Sequence, residues 1–241
     1  MTDTLVLLPG WALGPSALAP LRDALLALAP GLSVEVPTLP MDPDPTTWLD
    51  LLDASLPQGA WLGGWSLGGM LALGLAARRG AGCPGAIGIA SPACFRARPD
   101  WPAAMPAATF DAFRAACRAD PAGTLRRFAT LVAQGGADSR DLSRRLRAEC
   151  PDTPAAALDA GLALLAELDG REALGRYAGP RLHLFAEADA LVPRAAAEAL
   201  AALPDGGEVR RFAGAGHALP LERPLDVARA LLAFIGRSTD A

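Results

Sequence analysis

The chain contains no lysine: all 22 of its basic residues are arginine. Like the abundance of alanine, this bias reflects genomic composition and points to no particular task. Histidine is almost as scarce, with only His183 and His217, so chemistry that needs an imidazole has two candidates. Cysteine is sparse and scattered. Cys83, Cys94, Cys117 and Cys150 form no C-x-x-C pair, which argues against a zinc site or a disulfide framework. They read instead as small buried or half-buried side chains in a reducing compartment. An excess of positive charge is missing too. The net charge of −4 over 241 residues removes nucleic acid as the default partner. Met1-Thr2-Asp3-Thr4 places an acid where a signal peptide carries positive charge. Residues 59–77 form an uncharged stretch long enough to raise a membrane helix, but glycines crowd its first half and a strand–turn–helix explains it better. The expectation is a soluble, cytoplasmic, monomeric protein with no membrane or nucleic-acid partner.

What the chain does have is a core. Half of its residues are hydrophobic, 51%, enough for one large α/β domain or a core with one insertion. Residues 4–8 form an apolar run that predicts a buried parallel strand, closed by Pro9-Gly10. Leu18, Leu21, Leu25, Leu26 and Leu28 follow at helical spacing. Residues 33–36 predict a second strand, and residues 37–45 a proline-rich loop. Thr46 or Thr47 can cap a helix carrying Trp48, Leu51 and Leu52. Residues 85–90 predict another strand. The rhythm then breaks at Ser91-Pro92. From there to about Gly175 the apolar positions, among them Phe110, Phe113, Leu125, Phe128, Leu158 and Leu162, fit helices only. Strands return at residues 181–186 and 208–212, with a helix at 194–203 between them and a last helix starting near Pro224. Alternating strands and helices predict a mostly parallel sheet with helices on both faces. The expected architecture is a core of residues 1–93 and 175–241 with a helical cap, residues 94–174, inserted as a lid.

Gly64-Trp65-Ser66-Leu67-Gly68 reads G-x-S-x-G, between the apolar run Ala60-Trp61-Leu62-Gly63 and a segment of helical character. A serine on so sharp a strand-to-helix turn holds its hydroxyl clear of the backbone, and the flanking glycines are needed because side chains would collide there. A serine hydroxyl is a weak nucleophile at neutral pH and needs a base within hydrogen-bond reach. His183 falls inside a predicted strand and reads as a packed or edge histidine. His217 lies in Gly214-Ala215-Gly216-His217-Ala218, a loop that can reach the elbow across the carboxyl ends of the strands. The base in turn needs an acid to fix its tautomer. Asp189, in the loop after the strand at 181–186, gives the order Ser66, Asp189, His217; Glu187 is the rival acid. The Leu67 N–H, at a helix N-terminus, and the Trp11 N–H would hold the oxyanion, and the Trp11 ring can also wall the pocket. Gly80-Ala81-Gly82-Cys83-Pro84-Gly85 matches G-x-G-x-x-G, but it follows a helix and leads into a strand, the reverse of a dinucleotide site. No phosphate loop or metal-ligand cluster appears, and neither metal nor cofactor is expected.

Trp61-Leu62-Gly63-Gly64-Trp65-Ser66-Leu67-Gly68-Gly69, Leu5-Val6-Leu7-Leu8-Pro9-Gly10-Trp11 and Asp189-Ala190-Leu191-Val192-Pro193-Arg194 resemble one branch of the α/β-hydrolases. So do Ala90-Ser91-Pro92-Ala93-Cys94-Phe95 and Asp100-Trp101-Pro102, a far more restrictive pattern than G-x-S-x-G. The chain is similar, over nearly its whole length, to the pimeloyl-acyl-carrier-protein methyl ester carboxylesterases of biotin synthesis. The resemblance implies an α/β-hydrolase fold and hydrolysis of the methyl ester of a pimeloyl chain held on acyl carrier protein. It implies a triad of Ser66, Asp189 and His217 and an oxyanion tryptophan at Trp11. It also implies a substrate-lining cap helix at Phe128, Ala129, Thr130, Leu131 and Val132, and carrier-binding arginines at Arg127, Arg140 and Arg144. The substrate site would thus comprise Trp11, Ser66, Leu67, His217 and the five cap residues. Three features depart from the pattern. A fourth arginine falls on Gly123, the usual His-Gly is Pro9-Gly10, and no leading hairpin is expected ahead of the first strand.

Charge supports a carrier partner independently. From Arg96 to Arg147 there are ten arginines against five aspartates and no glutamate, a basic lid on an acidic body that would steer an acidic protein. The same lid could also be a solvated helical face with incidental charge. Three other readings share these residues: a general short-chain carboxylesterase or thioesterase, a lyase or cofactor-free haloperoxidase, and a non-catalytic binding protein on the same fold.

Overall fold

The computed structural model describes residues 3–150 and 152–239. Met1 and Thr2 of the amino-terminal stretch, Pro151, and Asp240 and Ala241 at the far end lie outside the described residues. The core elements alternate as the apolar runs predict: β1 (Thr4–Leu8), α1 (Ala19–Leu28), β2 (Ser33–Glu35), α2 (Trp48–Ser55), β3 (Trp61–Trp65), α3 (Leu67–Arg79) and β4 (Ala86–Ile89). Five helices follow: α4 (Ala107–Ala119), α5 (Pro121–Ala133), α6 (Ser139–Glu149), α7 (Ala155–Glu167) and α8 (Gly170–Arg176). The core resumes with β5 (Arg181–Ala186), α9 (Arg194–Ala201), β6 (Glu208–Phe212), the short α10 (Leu219–Glu222) and α11 (Pro224–Thr239).

All six strands run parallel in the order β2-β1-β3-β4-β5-β6. Every residue of β3 and β4 is buried, as a parallel sheet covered on both faces requires. The chain steps from β1 outward to β2, then crosses back to place β3 on the other side of β1. Strand order therefore reverses between β1 and β3, and the crevice at their carboxyl ends is where open α/β sheets build sites. The loop holding Trp11 leaves β1 and the turn holding Ser66 leaves β3, so both line that crevice.

The uncharged stretch at residues 59–77 is β3, the turn and most of α3, whose residues are buried almost throughout. No helix among the described residues is long and apolar enough to cross a membrane. The leucine stripes are narrower than their spacing suggests. Leu18, Leu21 and Leu25 are buried, but Leu26, Leu28 and Leu51 are exposed.

The inserted helices are tied together by charge as well as by apolar packing. Arg114 and Arg118 of α4 both reach Asp159 of α7, at 2.9 and 2.8 Å. At the return to the core, Asp169 caps α8 through the Arg171 N–H, and the Gly170 N–H donates to the Ala93 carbonyl at 2.7 Å. Two isolated bridges, Arg96 with Met105 and Arg98 with Trp101, are the extended pieces of the insertion among the described residues.

Candidate active site

Ser66 sits between β3 and α3 with φ 55° and ψ −120°. A side-chain-bearing residue at positive φ costs of order 1–3 kcal/mol, so the surroundings must impose it. They do: the Ser66 N–H donates to the Ile89 carbonyl at 2.9 Å, while its own carbonyl accepts from Gly69 and Met70 at 3.0 and 3.2 Å. A Cβ on Gly64 would overlap the Gly68 carbonyl, and one on Gly68 would overlap the Leu8 and Pro9 carbonyls. The motif glycines are thus the price of bringing α3 down onto β1 and β3. Ala12 and Ala90 are the other non-glycine residues at positive φ among those described. Like Ser66, each lies just beyond the carboxyl end of a strand, so backbone strain collects on one rim of the sheet.

Two loops deliver the other candidates to that rim. Asp189 follows β5. Its Oδ1 accepts the Leu191 and Val192 N–H groups at 2.8 and 2.9 Å, which aims Oδ2 at His217 Nδ1, 2.8 Å away. Both side chains are 1% exposed, so the pair is screened little by solvent. This contact selects the tautomer in which Nδ1–H donates to the carboxylate and Nε2 keeps its lone pair. That Nε2 is buried and has no hydrogen-bond partner among the described residues. No hydrogen bond joins it to the Ser66 hydroxyl. The imidazole is held beside the turn by Trp65 instead, whose indole Nε1 donates to the His217 carbonyl at 2.8 Å and whose ring centroid lies 6.0 Å from the imidazole.

Glu187, the rival acid, is exposed. His183 is buried in β5 between β4 and β6, with neither ring nitrogen hydrogen-bonded. Burial pushes all four thiols up, that of Cys94 to about 11, so none competes as a nucleophile. No group of three or more His, Cys, Asp or Glu side chains arranged to hold a metal occurs among the described residues.

The N–H groups of Leu67 and Trp11 donate to no backbone acceptor among the described residues. Leu67 opens α3, where the helix dipole adds positive potential. The Trp11 side chain meanwhile ties the core loop to the inserted helices. Its Nε1 donates to the Leu158 carbonyl of α7 at 2.9 Å, and its ring packs edge-on against Phe128 and Phe113, with centroids 4.8 and 5.7 Å away. These rings, with Phe110, Leu131 and Leu191, line an apolar cavity of about 60 Å³.

Of the five α5 residues singled out in the sequence, Phe128 and Leu131 line that cavity. Ala129 and Val132 are buried in the core cluster. Thr130 is exposed and turned to an outer groove between α5 and α6, where it meets Ser143 Oγ at 3.3 Å and accepts from Arg147 at 3.2 Å. Arg140 and Arg144 line the same groove. Arg127 is exposed on α5 and donates to the Thr124 hydroxyl. Two residues at this site were missed in the sequence. Trp65 fills the variable position of the turn motif, where a buried indole N–H demands an acceptor. Arg147 was one basic residue among many until α6 placed it beside Arg140.

Residues 5–230 match the alpha/beta hydrolase family. A pimeloyl-[acyl-carrier protein] methyl ester esterase from Aromatoleum aromaticum is 41% identical over 240 residues, covering 93% of this chain and 94% of that protein. A biotin biosynthesis bifunctional protein from Cellvibrio japonicus is 37% identical over 95% of this chain, which spans only 47% of that protein's length. Among solved structures, a bromoperoxidase from Bacillus anthracis superposes with a TM-score of 0.83 at 19% identity, covering 98% of this chain and 92% of that one. An esterase from Exiguobacterium antarcticum gives 0.81 at 18% identity, covering 97% and 92%. At such identities these structures speak for the fold alone.

Proposed function

The chain belongs to the pimeloyl-[acyl-carrier protein] methyl ester esterase branch of the alpha/beta hydrolase family, and from that premise we propose that it hydrolyses the methyl ester of a pimeloyl chain carried on acyl carrier protein, through a triad of Ser66, His217 and Asp189. The observation that carries this reading is the buried Asp189–His217 pair, hydrogen-bonded at 2.8 Å with Nε2 left unpartnered, on a loop tied to the serine turn through Trp65.

In the proposed reaction, His217 Nε2 takes the Ser66 proton as the hydroxyl oxygen attacks the ester carbonyl. Asp189 stabilises the imidazolium that forms. The Leu67 and Trp11 N–H groups hold the oxyanion, a kind of donor worth about 3 kcal/mol each when removed. The imidazolium returns its proton to the leaving oxygen and methanol departs. Water, deprotonated by the same imidazole, then opens the acyl-enzyme to release the free carboxylate and regenerate Ser66. The helical insertion acts as a cap: Phe128 and Leu131 offer apolar surface to the acyl chain. Arg127, Arg140 and Arg144 hold the acidic carrier from outside, and Ala129, Thr130 and Val132 shape the helix that separates the two.

Replacing Ser66 by alanine tests the assignment. Methanol release from the carrier-linked methyl ester is expected to fall by about 10⁴-fold or more, with the thermal unfolding midpoint close to that of the parent because alanine keeps the Cβ and the same positive-φ backbone. Retention of esterase activity by the variant refutes it.

A further inference from the structure

Glu222 takes no part in the reaction just described, yet it lies against the loop that carries His217. The Gly216 N–H donates to both of its carboxylate oxygens, at 3.3 and 3.2 Å. Gly216 is the residue before His217, so this bond fixes the Ala215–Gly216 peptide, one peptide unit ahead of the one that leads into the imidazole-bearing residue. The same carboxylate reaches the cap. A Cβ on Gly136, in the loop between α5 and α6, would come within 2.5 Å of Glu222 Oε2. A Cβ on Gly216 would overlap the Gln134 carbonyl and stand 3.2 Å from the Gly136 N. Gly135 next door, at φ +91°, leaves no room for a side chain against the Ala188 carbonyl, one residue before Asp189. The backbone of residues 134–136 is therefore seated on both the acid loop and the histidine loop, with Glu222 at the joint.

Placing a carboxylate there is costly. Burial pushes its proton affinity up, and the neighbouring Asp189 charge pushes the same way. One requirement is visible: the Gly216 N–H is otherwise without an acceptor, and an unsatisfied buried N–H lets the loop seek another conformation.

We propose that Glu222 is a positioning residue: by accepting the Gly216 N–H at the junction with residues 134–136, it holds His217 in register with Ser66. The inference rests on the reading of His217 as the base. Because Glu222 bonds the histidine loop and lies outside the apolar cavity assigned to the acyl chain, its effect is expected on the chemical step and not on substrate affinity.

The experiment compares Glu222→Ala, Glu222→Gln and His217→Ala in the full-length protein, with a soluble aryl ester as substrate so that carrier docking plays no part. Glu222→Ala is expected to lower kcat about tenfold with KM within twofold. Glu222→Gln, which keeps an oxygen acceptor, is expected to recover most of that loss. Circular dichroism and thermal melts of both variants separate a local effect from unfolding, and a fluorophosphonate inactivation rate reports Ser66 reactivity directly. An unchanged kcat in Glu222→Ala overturns the proposal. So does a Gln variant as impaired as Ala while equally well folded, or a loss confined to KM. Should His217→Ala retain activity, the reading of the base itself fails; should His217→Ala be inactive and Glu222→Ala normal, only the positioning role does.

Discussion

The indole Nε1 of Trp65 and the carbonyl oxygen of His217 meet at 2.8 Å, although 152 residues separate them in sequence. Trp65 is fully buried and immediately precedes Ser66, so one hydrogen bond ties the serine turn to the histidine loop. Removing the donor leaves the His217 carbonyl unsatisfied in the interior, at a cost of about 1–3 kcal/mol. Trp65→Phe is expected to lower stability by that amount and kcat on any ester substrate by about tenfold, because the loop loses its anchor. Urea unfolding and steady-state kinetics check both. A variant with normal kcat places the anchoring elsewhere.

That bond also marks what could be read in advance. The run of β1, the turn at Ser66 and the helical rhythm from Phe110 to Leu165 are local patterns, and the fold follows from them because burial periodicity is written residue by residue. The pairing of Asp189 with His217 and the place of Ser66 on the turn were legible because each residue ends a strand or sits in a loop at the same rim of a parallel sheet. Trp65, Glu222 and Arg147 were not. Their roles depend on contacts across loops whose paths no periodicity encodes, and a tryptophan in an apolar run reads as core until its N–H finds an acceptor. Leu26, Leu28 and Leu51 err in the other direction: helical spacing set them on apolar stripes, but the described fold leaves them exposed.

If the outer groove between α5 and α6 holds the carrier as proposed, docking is separable from catalysis. Arg140 and Arg147 line it with no carboxylate partner among the described residues, and Arg144 has only the exposed Asp141. Reversing Arg140 and Arg144 to glutamate is expected to lower kcat/KM for the carrier-linked ester at least tenfold. Activity on a soluble aryl ester should stay within twofold. The carrier-dependent loss should shrink with rising salt, since exposed charges are screened over about 10 Å at 0.1 M. Equal losses on both substrates would count against a docking surface.

His183 predicts a pH effect on stability that has nothing to do with turnover. It is buried with neither nitrogen partnered, and burial, reinforced by Arg181, pushes its imidazole down to about 4. The native state refuses a proton that the unfolded chain takes up below about pH 6.5. Stability is therefore lost as pH falls from about 6.5 toward 4, while above 6.5 the effect vanishes. His183→Val, β-branched and at home in a strand, removes the proton uptake. In urea unfolding at pH 7 and pH 4.5, the parent is expected to lose about 2 kcal/mol more than the variant between the two conditions. Parallel losses would mean that His183 is solvated or protonated in the native state.

The cavity beneath Trp11 sets a length test for the acyl chain. At about 60 Å³ it has room for roughly two water molecules, so a long acyl group fills it completely and presses on Phe128 and Leu131. Leu131 is the side chain to enlarge, because it is only half-buried and its helix can absorb part of the added bulk. Leu131→Trp is expected to cut kcat/KM at least tenfold for esters of acids with six or more carbons, the equivalent of about 1.4 kcal/mol of lost binding in the transition state. Acetate esters, which never reach α5, should change less than threefold, and overpacking should cost about 1–3 kcal/mol of stability. A chain-length series of p-nitrophenyl esters measures the whole profile. If all lengths fall together, the substitution has disturbed the Trp11 loop and the N–H proposed to hold the oxyanion, and the acyl chain runs along another wall of the cap.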